Sequence, residues 1–260
     1  MHFIGIDIGS TSTKVAIRGD VNAEFLLPTG WNSKETALSV QQTLRESYGI
    51  DTQGPDAYVV STGYGRVSVP YADTSITEIT CHARGIQDFT DLESCTVIDV
   101  GGQDTKVISI KDGMVEDFIM NDKCSAGTGR FLEIMANRLS MTLEELFRMA
   151  HTGEVIKISS MCTVFAESEI IGLIGIGEKR ENIAAGVVDS VIQKVLQLAH
   201  RHGIEGDVVL TGGLSLNRDF IEILSEQLGK DVITGPRAIY AGAIGAALLG
   251  TKKMKRRGVK

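Results

Sequence analysis

A chain of 260 residues that is 43% hydrophobic and 23% charged can bury one large core or two modest ones. Its formal charge of −7 argues against a general affinity for nucleic acid. The most apolar run, Ile170 to Ile176, is short and glycine-broken, which argues against a membrane span. The N-terminus enters a strand with no signal-peptide pattern. A cytoplasmic protein is expected, with Cys81, Cys95, Cys124 and Cys162 as thiols or metal ligands and not disulfides.

The first half reads as strands at 2–8, 13–19 and 21–27. Asn32 then caps a helix over 33–48, whose apolar positions include Leu38, Val40, Leu44 and Tyr48. A strand at 56–61, a glycine-flanked loop at Thr62–Arg66 and a helix over 76–88 follow. The same order restarts at Cys95, with strands at 95–100, 104–110 and 114–120, the last two joined by the turn Lys111-Asp112-Gly113. A glycine-rich loop over 121–130 leads into helices at 128–139 and 142–151, Thr142 and Glu145 forming a cap. An irregular stretch around Cys162 precedes helices at 164–174 and 181–202. A strand at 207–210, the turn Thr211-Gly212-Gly213, a helix over 214–228, a strand at 231–233 and a small-residue helix over 238–249 complete the pattern. Gly242 and Gly245 predict close packing of that last helix, and the basic residues Lys252, Lys253, Lys255, Arg256, Arg257 and Lys260 predict a solvated, frayed tail.

One stretch occurs twice. Ile6-Asp7-Ile8-Gly9-Ser10-Thr11-Ser12-Thr13-Lys14-Val15 and Ile98-Asp99-Val100-Gly101-Gly102-Gln103-Asp104-Thr105-Lys106-Val107 agree at six of ten positions at an offset of 92 residues. Each reads as strand, glycine turn, strand. Gly9 permits close backbone approach, and the small residues Ser10, Thr11, Ser12 and Thr13 suit a nest of N–H groups around a phosphate. Asp7 and Asp99 are anionic and suit a hydrated Mg²⁺, not the phosphate itself. Two ordinary hairpins with a surface Asp each are the plain alternative, and the duplication argues against it. The expected fold is α/β: two βββαβα domains, 1–93 and 94–260, around a nucleotide cleft, with the C-terminal helix (about 238–250) packing back toward the first. Thr211-Gly212-Gly213 suits close approach by an adenosine.

No Cys-x-x-Cys pair is present, and an isolated Cys is most often a small buried hydrophobe. That is the reading for Cys81, within a helix, and Cys95, opening a strand. Cys124 and Cys162 each precede a helix N-terminus, which stabilises negative charge. Two such cysteines from each of two chains would complete the four ligands of a [4Fe–4S] cluster, although spacing alone does not establish it.

Asp7–Lys14, Asp99–Lys106 and Leu210–Gly213 together resemble the two phosphate motifs and the adenosine motif of the actin/Hsp70/sugar-kinase superfamily (ribonuclease H-like domains). The segments 121–131 and 160–169, with Gly63-Tyr64-Gly65-Arg66 and Glu78–Ala83, resemble the activator ATPases (component A) of 2-hydroxyacyl-CoA dehydratases, related to benzoyl-CoA reductase ATPase subunits. Met161 and Ser125 stand where Thr and Ala are familiar in that family.

The resemblance implies a homodimer in which Cys124 and Cys162 of two subunits hold one [4Fe–4S] cluster. It implies ATP and Mg²⁺, a ferredoxin or flavodoxin as electron source, and ATP-driven donation of one low-potential electron to a dehydratase. Ser10 to Lys14, Gly101 and Gly102 would contact phosphates, with Asp7 and Asp99 holding Mg²⁺ through water. Gln103 or Asp104 would orient the attacking water, and Gly212 and Gly213 would flank the adenosine. A small-molecule kinase of the same fold and a nucleotide-binding regulator with a decayed site are the alternatives.

Overall fold

The computed structural model describes residues 1–121, 127–159 and 162–257, with side chains described to 254. Two compact units emerge. One comprises Met1–Ser94, Ile110–Glu116 and the chain from Arg237 onward, and the other Cys95–Ser109 and Asp117–Pro236.

In the first unit, β1 (His2–Ile8), β2 (Ser12–Gly19), β3 (Ala23–Pro28), β4 (Ala57–Thr62) and β5 (Thr74–Ser75) form a sheet in the order β3-β2-β1-β4-β5. β1 pairs antiparallel with β2 and parallel with β4. The two-residue side-chain period sorts β1 onto two faces. Ile4, Ile6 and Ile8 join Val40 and Leu44 of α1 (Ser33–Tyr48) in one buried cluster. Gly5 turns the other way, and a Cβ there would lie 1.9 Å from the Ala243 carbonyl oxygen. That second face is covered by α2 (Glu78–Ile86) and the C-terminal helix, with Tyr58, Val60, Cys81 and Ala246 packed together. The helix pair is as tight as the small residues allow: a Cβ on Gly245 would meet the Cys81 carbonyl oxygen at 1.8 Å.

Asn32 caps α1 by accepting from the Lys34 N–H at 2.9 Å. Leu38 does not join the core but is 55% exposed. At about 100° per residue it sits roughly opposite Val40 on the helix. The last helix is also longer than its small-residue stretch and runs on into the basic segment expected to fray. Lys and Arg are good helix formers, and cations suit a helix C-terminus.

In the second unit, β6 (Cys95–Val100), β7 (Thr105–Lys111) and β8 (Met114–Asn121) precede α3 (Gly129–Arg138), α4 (Leu143–Ala150), α5 (Thr163–Gly175) and α6 (Arg180–His202). Then come β9 (Asp207–Gly212), α7 (Arg218–Leu228), β10 (Val232–Ile233) and, completing the chain, α8 (Ala241–Arg257), the first unit's C-terminal helix. The sheet order is β10-β9-β6-β7-β8. Read from β8, it repeats the first sheet strand for strand, so the sequence duplication is a duplication of fold. α6 carries the core, with Val187, Val191, Ile192 and Val195 buried among Ile98, Leu132, Phe147 and Phe220. Thr142 and Glu145 form the expected reciprocal cap of α4. The helix expected over 214–228 instead divides. A single 3₁₀ turn spans Gly213–Leu216, and α7 begins after Asn217, whose side chain accepts from the Phe220 N–H at 2.9 Å. Among the described residues no helix is long and apolar enough to cross a membrane.

Cys81 and Cys95 are buried, as the isolated-cysteine rule expects. Burial pushes the Cys81 thiol up to about 12 and that of Cys95 to about 11, from an ordinary 9.0. The folded chain therefore holds these protons more tightly than the unfolded chain. Their contribution is complete below pH 9 and is lost as pH rises through 11 and 12. Urea midpoints should fall steadily above pH 9, and Cys81→Ala should flatten that slope. An unchanged slope would contradict the assignment.

Candidate functional site

The two glycine turns are built alike. In the first, the Gly9 N–H donates to the Ser12 carbonyl at 3.2 Å; in the second, the Gly101 N–H donates to that of Asp104 at 2.9 Å. The antiparallel register sets Asp7 opposite Lys14, and the parallel register sets Asp7 beside Thr62 of β4. Lys14 leans back over its turn, its Nζ 3.4 Å from where a Gly9 Cβ would stand. Thr11 is exposed and Ser10 and Ser12 are half-buried, so the turn offers small polar groups at its surface. Thr13 is instead fully buried, its hydroxyl 2.8 Å from that of Thr29. Asp7 is 4% exposed.

The second hairpin carries a denser charge cluster. Lys106, 2% exposed, places Nζ 3.2 Å from Asp99 Oδ2 and 2.8 Å from Asp104 Oδ1. The other oxygen of Asp99 accepts from the Thr211 hydroxyl at 2.8 Å. Each oxygen of the buried Asp99 carboxylate thus has a donor, which orients Asp99. Gln103 is exposed at the turn while Asp104 is engaged by Lys106. Gly101 and Gly102 are half-buried.

β9 runs beside β6 with Asp99 opposite Thr211 and Val100 opposite Gly212. Gly212 has φ +84°, and a Cβ there would meet the Val100 carbonyl oxygen at 2.3 Å, so glycine is required by both conformation and space. Gly213 has nothing within 4 Å of its Cβ position and lies exposed, where a flat group has access.

The second turn is also fastened to the start of α3. The Gly129 N–H donates to the Gly101 carbonyl at 3.0 Å and the Arg130 N–H to that of Gly102 at 2.9 Å. The Thr105 hydroxyl donates to the Gly127 carbonyl at 2.6 Å. These bonds span more than twenty residues of chain, and no local sequence signal announces them.

Cys162 is exposed at the N-cap of α5, its carbonyl accepting from the Ala166 N–H at 2.9 Å. An accessible thiol at a helix N-terminus has the donor chemistry of an iron–sulfur ligand. Cys124 lies outside the described residues. α5 buries only Ala166 and Ile170 and leaves Val164, Phe165, Ile171 and Ile174 exposed.

Sequence reasoning gave no role to His82. It is buried on α2, with Nε2 3.8 Å from Glu78 Oε1 one turn earlier. The i,i+4 spacing of Glu78 and His82 was the available signal.

Known proteins match this chain in both sequence and fold. The (R)-2-hydroxyglutaryl-CoA dehydratase activating ATPase of Acidaminococcus fermentans is 42% identical over 258 residues, covering 97% of this chain and 98% of the relative. The activator of lactoyl-CoA dehydratase of Anaerotignum propionicum is 42% identical, covering 95% and 96%. The solved activator of the 2-hydroxyisocaproyl-CoA dehydratase from Clostridium difficile, with bound ADPNP, superposes with a TM-score of 0.89 at 36% identity, covering 99% and 97%. The two-fold repeated α/β fold expected from the sequence is therefore the fold present. With residues 4–250 also matching the family's own profile, the chain belongs to the BadF/BadG/BcrA/BcrD ATPase family.

Proposed function

We propose that this ATPase activates a 2-hydroxyacyl-CoA dehydratase, or a related CoA-thioester reductase, by donating a low-potential electron in a step coupled to ATP hydrolysis. The observation that carries the reading is the fastening of the Gly101–Thr105 turn to Gly127, Gly129 and Arg130, directly after the Cys124 segment. A phosphate-binding turn bonded to a ligand-bearing segment is what coupling requires. The dehydratases that the relatives activate supply the partner class.

In this reading Ser10 to Lys14, Gly101 and Gly102 contact the phosphates, Thr13 through its backbone, since its hydroxyl is buried against Thr29. Asp7 and Asp99 hold hydrated Mg²⁺. Gln103 orients the attacking water, because it is exposed while Asp104 is engaged by Lys106. Gly213 receives the adenosine and Gly212 sets its backbone. Loss of the terminal phosphate changes what the second turn binds, and the Gly129 and Arg130 N–H groups carry the shift to the start of α3. The shift is worth only the difference in nucleotide affinity between the two arrangements.

Cys162, with Cys124, would hold a [4Fe–4S] cluster shared by two subunits. When bound, the cluster would supply a one-electron carrier, with a ferredoxin or flavodoxin as the source of the electron. The exposed apolar side of α5 favours pairing with a second copy. The test is Cys162→Ala. It should lose bound iron and all dehydratase activation while retaining ATP turnover within about twofold, since the thiol lies outside the phosphate turns. Retention of iron would overturn the ligand assignment, and retention of activation the electron-donor reading.

A further inference from the structure

The duplicated aspartates are braced differently. In the second hairpin Asp99 is held by Lys106 on one oxygen and by Thr211 on the other. In the first, Lys14 reaches back over Gly9, and a ring nitrogen from α2 comes toward the same Gly242 position as an Asp7 oxygen.

The alternation of β1 puts Asp7 on the face of Gly5, beneath α8. A Cβ on Gly242 of α8 would lie 2.8 Å from Asp7 Oδ2 and 3.1 Å from His82 Nε2, so these two atoms converge on one point. The other oxygen, Oδ1, faces Gly63, where a Cβ would stand 2.3 Å away and where φ is +82°. Each oxygen of Asp7 is thus bordered by a glycine that admits no side chain. His82, 4% exposed, is the titratable ring on the Oδ2 side. Glu78, about a quarter exposed, faces the same Nε2 at 3.8 Å.

We propose that His82 is a positioning residue for ATP hydrolysis. With the Glu78 carboxylate beside the ring, its Nε2 side fixes the Asp7 carboxylate in the attitude from which that group would hold hydrated Mg²⁺. The inference rests on the reading of Asp7 given above. The physical reason is that a metal-holding carboxylate needs an outer partner to keep its orientation. Lys106 and Thr211 do this for Asp99, and His82 with Glu78 does it for Asp7.

The experiment titrates Mg²⁺ in an ATPase assay and measures binding of a fluorescent ATP analogue in EDTA. His82→Ala should raise the Mg²⁺ concentration for half-maximal rate by about tenfold or more, as losses of outer partners do elsewhere. Its nucleotide affinity in EDTA should match wild type. His82→Gln, whose amide nitrogen reaches the position of Nε2, should recover most of the defect. Glu78→Gln should shift the Mg²⁺ requirement in the same direction by less, and it decides the question if His82→Ala does not fold. An unchanged Mg²⁺ requirement in the folded variants would overturn the proposal. So would an equal loss of nucleotide affinity in EDTA, which marks a purely structural role. Asp7→Asn separates the two layers. If it is defective for Mg²⁺ while His82→Ala is not, only the His82 inference fails. If Asp7→Asn itself has wild-type Mg²⁺ dependence, the metal reading of Asp7 fails and takes the inference with it.

Discussion

Replacing Lys106 with methionine is expected to destabilise the second unit by about 3–5 kcal/mol, the usual result of removing one partner from a buried ion pair. Lys106 and Asp99 are 2% and 3% exposed, and the lysine ammonium bonds both Asp99 and Asp104. Methionine keeps most of the apolar stem, so the loss isolates the charge. It removes the ammonium from Asp99 Oδ2 and leaves the Thr211 hydroxyl on the other oxygen. The urea unfolding midpoint measures the effect. The double variant Asp99→Asn with Lys106→Met should recover much of it, because neither charge then remains buried alone. A single variant as stable as wild type would mean that Asp99 is not held as a charged group.

The second large effect falls on chemistry. Asp7→Asn should lower ATP turnover at least about 100-fold, comparable to removing one preorganised electrostatic group from an active site. The unfolding midpoint should change little, since the substitution is isosteric and the flanking Gly63 and Gly242 leave the side-chain space as it was. Turnover within a few-fold of wild type would remove Asp7 from the metal role.

Much of this architecture is legible in the sequence because it is local or repeated. The Asp-x-Gly hairpins, the Asn32 cap and the Thr142–Glu145 cap each depend on residues a few positions apart, and all are present. The strand-for-strand repeat of the two sheets follows from the ten-residue duplication. What escaped detection depends on distant partners or on weak signals. β5 is two residues long, too short for a period of two to register. The Asn217 cap reads from sequence as helix interior because apolar residues precede it, and these form a 3₁₀ turn. Leu38 is apolar but lies on the wrong side of its helix.

The site shows the same division. Sequence nominated Asp7, Asp99, Gly212 and the small residues of the turns by type and spacing. It gave Lys106 no partner, because the Asp99 contact joins neighbouring strands of the folded sheet. It left His82 idle, because its ring and Asp7 come near the same Gly242 position only once α2 and α8 have packed. The bonds from the second turn to Gly127, Gly129 and Arg130 have no sequence signature at all. They are the bonds on which the proposed nucleotide coupling rests.

The measurement that bears most directly on electron donation is iron and sulfide analysis, with a native mass, on protein purified without oxygen. Two cysteines from each of two chains predict about four iron and four sulfide per dimer. A colourless, iron-free monomer that still binds ATP after anaerobic reconstitution would contradict the account.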